Sequence, residues 1–163
     1  MNKLKNDKLL NLLRSDALLF NSPVHGLYHW RTVERNGLYL SSFNKADKKV
    51  VSLFAYFHDC MRENEGMDIK HGPRASDYIK LHKDILEISK DQLKILCMAC
   101  AGHTVGTKTN CVTVSTCWDA DRLDLGRVGI IPDAKYLFTN EAKRIADERD
   151  HKILYEFSEV EKM

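Results

Sequence analysis

The sequence predicts an all-α domain, a bundle of about six to eight helices. Apolar residues recur at helical spacing, as Leu9, Leu12, Leu13 and Phe20 do in the first stretch. Sharp breaks such as Asn21-Ser22-Pro23 and Gly72-Pro73 divide these stretches into separate elements. Only CVTVS, residues 111–115, alternates as a strand would, and it sits in a polar, Gly/Thr-rich segment that reads as a loop.

The first helix is expected over residues 3–20 and the second over 25–42, opening at His25 so that His25 and His29 share a face. The third and most buried helix is placed at 44–61, with Asp47 in its first turn suiting the helix dipole. A loop follows, broken by Gly66, Gly72 and Pro73, before a helix over 75–82 and a short stretch at 84–88. Ser89 caps the next helix, which ends at Gly102-His103. Residues 104–115 are expected as loop and 117–127 as helix. Thr139 or Asn140 caps a final helix running to about residue 160.

At 163 residues, the chain is long enough for one domain that buries roughly 70% of its unfolded surface. A hydrophobic share of 44%, a charged share of 29% and a net charge of +2 are ordinary for a globular protein. They argue against a nucleic-acid-binding footprint. No stretch approaches 18 apolar residues, so no membrane span is expected. The five cysteines, odd in number and set among apolar neighbours, read as reduced thiols of a cytoplasmic protein.

Residues 50–65, VVSLFAYFHDCMRENE, carry the chemistry. Eight mostly apolar or aromatic residues run directly into His58-Asp59. A carboxylate there is costly to bury unless a cation meets it. Imidazole nitrogen beside carboxylate oxygen is a usual donor pair for a divalent metal. Further candidates lie on or beside successive helices: His29, His71, His103 and Asp119. A bundle brings such positions to one central site. Asp119 and Asp121 point nearly opposite ways on a helix, so both cannot face inward. Cys97, Cys100 and His103 are spaced like zinc ligands but fan over a helix, with no second pair to complete a site.

The order of HGLYHWRTV, FHDCMRENEG, KHGPRAS, AGH and CWDADRLDLGR resembles the HD-domain superfamily of metal-dependent phosphohydrolases, over roughly residues 20–131. More narrowly it is similar to small stand-alone bacterial HD proteins. The resemblance implies a first metal on His29, His58, Asp59 and Asp119, and a possible second on His71 and His103 with Asp59 bridging. The metal would be Mn, Fe, Co, Ni, Zn or Mg, one or two per chain. It also implies an acidic residue one turn beyond the HD pair, matched by Glu63, to orient or deprotonate water. His71 or His103, where not a ligand, would protonate the leaving oxygen.

Arg62, Arg74 and Arg122 are the guanidinium groups nearest these ligands in sequence, and with His25 they are the candidates for holding a phosphate. The expected substrate is a small phosphorylated molecule, nucleotide-like in character. Two other classes compete: a non-catalytic binder that keeps the metal to hold a nucleotide, and a cysteine nucleophile at Cys60 or Cys117. Flanking carboxylates disfavour the thiolate that the second would need.

Overall fold

Helix-favouring patterns and their caps become eight α-helices in a computed structural model that describes residues 3–157. They are α1 (Lys3–Asp16), α2 (Leu27–Ser41), α3 (Lys48–Phe57), α4 (His71–Leu81), α5 (Lys90–Gly102), α6 (Val112–Arg122), α7 (Asn140–Glu148) and α8 (Lys152–Glu156). Three short 3₁₀ turns join them, and no strand occurs among the described residues.

Asp47 caps α3 by accepting from the backbone N–H of Lys49 and Val50, which satisfies donors that the first helical turn leaves free. Its other oxygen accepts from Gln92 Nε2 at 2.8 Å, and its own N–H donates to Thr113 Oγ1 at 3.0 Å. One residue thus ties the start of α3 to α5 and α6. Ser89 and Gln92 form a capping box at the head of α5.

The core is a continuous set of fully buried side chains, including Trp30, Leu40, Leu53, Phe54, Phe57, Ile79 and Leu96. Two glycines permit close helix approach. At Gly37 a Cβ would collide with Val51, so glycine lets α2 lie against α3. At Gly72 a Cβ would stand 2.5 Å from the Cys100 carbonyl, so glycine lets α4 press onto the end of α5. The second approach carries His71 up to His103.

Several boundaries differ from those expected. α2 begins at Leu27, so His25 precedes the helix and shares no face with His29. α3 stops at Phe57, where the chain turns through Asp59 and Cys60. α4 begins at His71 rather than residue 75. Gly72-Pro73 sits inside its first turn, where a missing N–H costs nothing. CVTVS is loop and strand to the eye, yet Val112 onward is helix: α6 packs against α2, α3 and α5, burying residues 113 to 117. Packing there overrides the β-branched preference. The expected last helix is two, parted at Arg149, whose φ is +56°. The expected end near residue 160 lies outside the described residues.

Candidate metal centre

Four helix ends and one helix face deliver the donors. His29 projects from the first turn of α2, His58 and Asp59 follow α3, His71 opens α4, His103 ends α5, and Asp121 lies near the end of α6. All four histidines and Asp59 are buried.

Each histidine has its Nδ1 fixed by an acceptor. His29 Nδ1–H donates to Asp124 Oδ2 at 2.7 Å, His58 to the Ala55 carbonyl at 2.9 Å, His103 to the Cys100 carbonyl at 2.8 Å, and His71 to the Asp68 carbonyl. Those acceptors carry no proton to give, so the proton sits on Nδ1 and the lone pair on Nε2. The lone pairs then face each other. His29 Nε2 and His58 Nε2 are 3.1 Å apart, and His71 Nε2 and His103 Nε2 are 2.8 Å apart. Two facing lone pairs repel unless a cation or a shared proton lies between them.

Asp59 divides the donors into two groups. Its Oδ1 is 3.0 Å from His71 Nε2 and 3.5 Å from His103 Nε2. Its Oδ2 is 3.8 Å from His29 Nε2 and 3.7 Å from His58 Nε2. Asp121 Oδ1 completes the second set at 3.3 Å from His29 and 3.7 Å from His58. Ligands about 2.0–2.2 Å from one ion stand about 3.0–3.5 Å from each other, whether octahedral or tetrahedral. The donor separations bracket that range, so the residues present fit a divalent metal. His29, His58 and Asp59 form one group able to hold an ion, and Asp59, His71 and His103 form another.

Electrostatics agree. Burial works against ionising Asp59, but His58, His103 and His71 outweigh it and hold its pKa well below the usual carboxylate range. Asp121 is lowered in the same way by His29 and His58. Burial, aided by the neighbouring His103 and His29 and opposed by Asp59 and Asp121, drives His58 down to about 3. His29 and His103 go the other way: burial lowers each, yet Asp121 with Asp124, and Asp59, raise them above their ordinary value.

Asp119, the ligand that the resemblance implies, lies outside these donor groups, and Asp121 stands beside His29 and His58 in its place. The Asp119 carboxylate instead accepts the N–H of Phe138 at 2.9 Å, the N–H of Thr139 at 2.7 Å and the Thr139 hydroxyl at 2.8 Å. It anchors α6 to Thr139, the N-cap of α7.

Glu63 is also elsewhere. With α3 ended six residues earlier, Glu63 lies in open loop, 70% exposed, its carboxylate 3.6 Å from Arg74 Nε. Arg74 is spent on structure, donating to the Met61 carbonyl and to Asp68 Oδ2. Arg122 donates to the carbonyls of Tyr136 and Gly106. Of the three arginines, Arg62 alone reaches the donors. Its NH1 is 3.6 Å from Asp59 Oδ1 and 3.4 Å from His71 Nε2, while NH2 and Nε hold the carbonyls of Gly66 and Asn64. His25 is buried with its Nδ1 2.5 Å from Glu65 Oε2. Burial lowers its pKa, against the pull of Glu65.

Asp124, Glu65, Asp68 and Arg127 were not read from the sequence as site residues. Arg127 donates to the carbonyls of Val24 and Asp124, fastening the loop before α2 to the residue that orients His29. The spacing DADRLD holds a signal for Asp124, since it falls one turn after Asp121. Nothing comparable separates Glu65 from Glu63. Cys97 bonds the Ser76 carbonyl and joins no donor group, and burial pushes the thiols of Cys60 and Cys117 up, away from nucleophilic use.

A solved structure described as a predicted HD superfamily hydrolase, from an uncultured Thermotogales bacterium, superposes with a TM-score of 0.70. The match covers 91% of this chain and 87% of that one at 23% identity. The chain has the HD-domain fold. No protein-family model matches the sequence, and no curated protein matches it. No helix among the described residues is long and apolar enough to cross a membrane.

Proposed function

We propose that this HD-fold protein is a metal-dependent phosphohydrolase that splits the phosphate ester of a small, nucleotide-like molecule with water. The observation that carries this is the pairing of four histidine Nε2 atoms across the two oxygens of Asp59, with one arginine N–H turned toward the same carboxylate. His29, His58, Asp59 and Asp121 would hold one divalent ion; His71 and His103, with Asp59 bridging, would hold a second. Such ions supply Lewis acidity, which offsets phosphoryl charge and makes water more acidic.

The chain's own groups do the rest. Arg62 has NH1 free of the loop carbonyls, so it can donate to a phosphoryl oxygen beside Asp59. His25, with Nδ1 committed to Glu65, keeps Nε2 for a substrate oxygen. His71 and His103 are read as ligands rather than proton donors, because their Nδ1 protons belong to backbone carbonyls.

Phosphate release from nucleotides and sugar phosphates, with each of Mn, Fe, Co, Ni, Zn and Mg restored to chelated protein, tests the reading. Activity on at least one ester with at least one metal is expected. Tight metal binding without phosphate release from any of them identifies a metal-holding binder instead.

A further inference from the structure

We propose that the cleft beside the metal centre seats the planar base of a nucleotide substrate; this rests on the phosphohydrolase reading and adds where specificity resides. The cleft, about 550 Å³, lies between residues 104–107 and 130–138. It adjoins the donors at Thr104, which lines it and whose Oγ1 is 3.4 Å from Nε2 of both His71 and His103. Leu125, the residue after Asp124, also lines it. An ester whose phosphate lies at the centre therefore has this cleft within reach.

Its walls are mostly apolar. Val105, Ile131 and Tyr136 are 67%, 68% and 63% exposed, and Ile130 and Pro132 lie beside them. Arg122, itself part of the lining, braces the cleft. NH1 donates to the Tyr136 carbonyl at 2.6 Å and NH2 to the Gly106 carbonyl at 2.7 Å, so one guanidinium clamps both loops. Its plane also lies near the rings of Trp118 and Phe138, at 5.7 and 5.3 Å. A pocket braced in this way is preformed, which lowers the ordering cost of a ligand.

The rim is polar, carrying Thr107 and the Asp133–Lys135 ion pair at 2.8 Å. A sugar phosphate would leave the apolar walls wet, and an aliphatic chain would leave the rim unused. A heteroaromatic base, with apolar faces and a hydrogen-bonding edge, meets both.

Nucleosides test this without needing turnover. Adenosine, guanosine, cytidine, uridine and plain ribose are titrated calorimetrically into the metal-loaded protein, with phosphate release assayed separately. At least one nucleoside should bind about tenfold or more tighter than ribose, equivalent to about 1.4 kcal/mol. Ile131→Trp and Val105→Trp, which fill the cleft from opposite walls, should reduce that affinity to the level of ribose while metal content and thermal midpoint stay as in the wild type. Nucleosides binding no better than ribose would overturn the proposal, as would unchanged affinity in both variants. So would a change in sedimentation by the variants with nucleoside affinity intact, since the apolar walls would then be a contact between copies of the chain. Cleft-dependent nucleoside binding without phosphate release from any ester keeps the base site and sinks the phosphohydrolase reading.

Discussion

Asp124 accepts the Nδ1–H of His29 at 2.7 Å, and this one bond decides which nitrogen of His29 faces the other donors. The carboxylate sits on the chain just past α6 and is itself steadied by Arg127, whose NH1 lies 3.9 Å from Oδ2. A metal-ligating imidazole depends on such a partner for its tautomer and orientation.

Asp124→Asn should therefore weaken metal binding by about 10- to 100-fold while leaving the helices in place. The asparagine amide offers a donor where an acceptor is needed and favours the wrong tautomer. Competition against a chelator measures the loss, and far-UV circular dichroism checks the fold. Wild-type affinity in this variant would mean that His29 needs no orienting partner.

The two aspartates of DADRLD should separate stability from metal binding. Asp121→Ala removes a donor 3.3 Å from His29 and should cost most of the metal bound to the His29 group, with little change in unfolding midpoint. Asp119→Ala strands the N–H of Phe138, the N–H of Thr139 and the Thr139 hydroxyl, costing about 3 kcal/mol or more at about 1–3 kcal/mol for each group. It should keep its metal. Elemental analysis paired with urea unfolding distinguishes the two, and the opposite pattern would restore Asp119 to the centre.

The pair shows where sequence reading ran out. Residues two apart on a helix point to nearly opposite sides, so one aspartate had to face in and the other out. Which was which depended on where α6 began, and α6 begins five residues earlier than its β-branched opening implies. The histidines were easier. His29, His58, His71 and His103 sit at helix ends or next to the most apolar run, and their order survives errors of a few residues in boundaries. Arginine roles were not legible at all. Arg62, Arg74 and Arg122 are equally near ligands in sequence, and only loop geometry turns one toward Asp59 and the others toward backbone carbonyls.

Protons and metal should compete for the centre. The raised pKa values of His29 and His103 mean that the metal-free protein holds protons there above pH 6.5, until pH passes the folded values. Their contribution to metal-free stability is complete below pH 6.5 and is lost as pH rises through those values. His58 acts in the opposite sense: between pH 6.5 and about 3 the unfolded chain binds a proton that the folded chain refuses, so stability falls as pH drops through that window. Metal must displace the His29 and His103 protons, so its apparent affinity should rise with pH above 6.5, by up to about tenfold per unit for each proton released. Calorimetry in buffers of different ionisation enthalpy counts those protons. Affinity independent of pH from 6.5 to 8 would contradict the competition.

Arg62 and Glu63 are neighbours in sequence with opposite expected consequences. Arg62 turns NH1 toward Asp59 and His71, where a phosphoryl oxygen would lie, while its other nitrogens hold the loop at Asn64 and Gly66. A charge-assisted hydrogen bond to an ionised group is worth about 1.5–3 kcal/mol. Arg62→Ala should accordingly lower kcat/KM by about 10- to 150-fold with metal content unchanged. Arg62→Lys should recover only part of that, since an ammonium cannot hold the loop and reach inward at once. Glu63→Gln breaks an ion pair with Arg74 that is largely in solvent, worth under about 1 kcal/mol, and should leave turnover at the wild-type value. Steady-state kinetics on any cleaved ester compares the three. A turnover defect in Glu63→Gln matching that of Arg62→Ala would show that the loop closes over the centre during reaction and brings Glu63 to the attacking water. Equal rates in Arg62→Ala and the wild type would remove Arg62 from substrate binding.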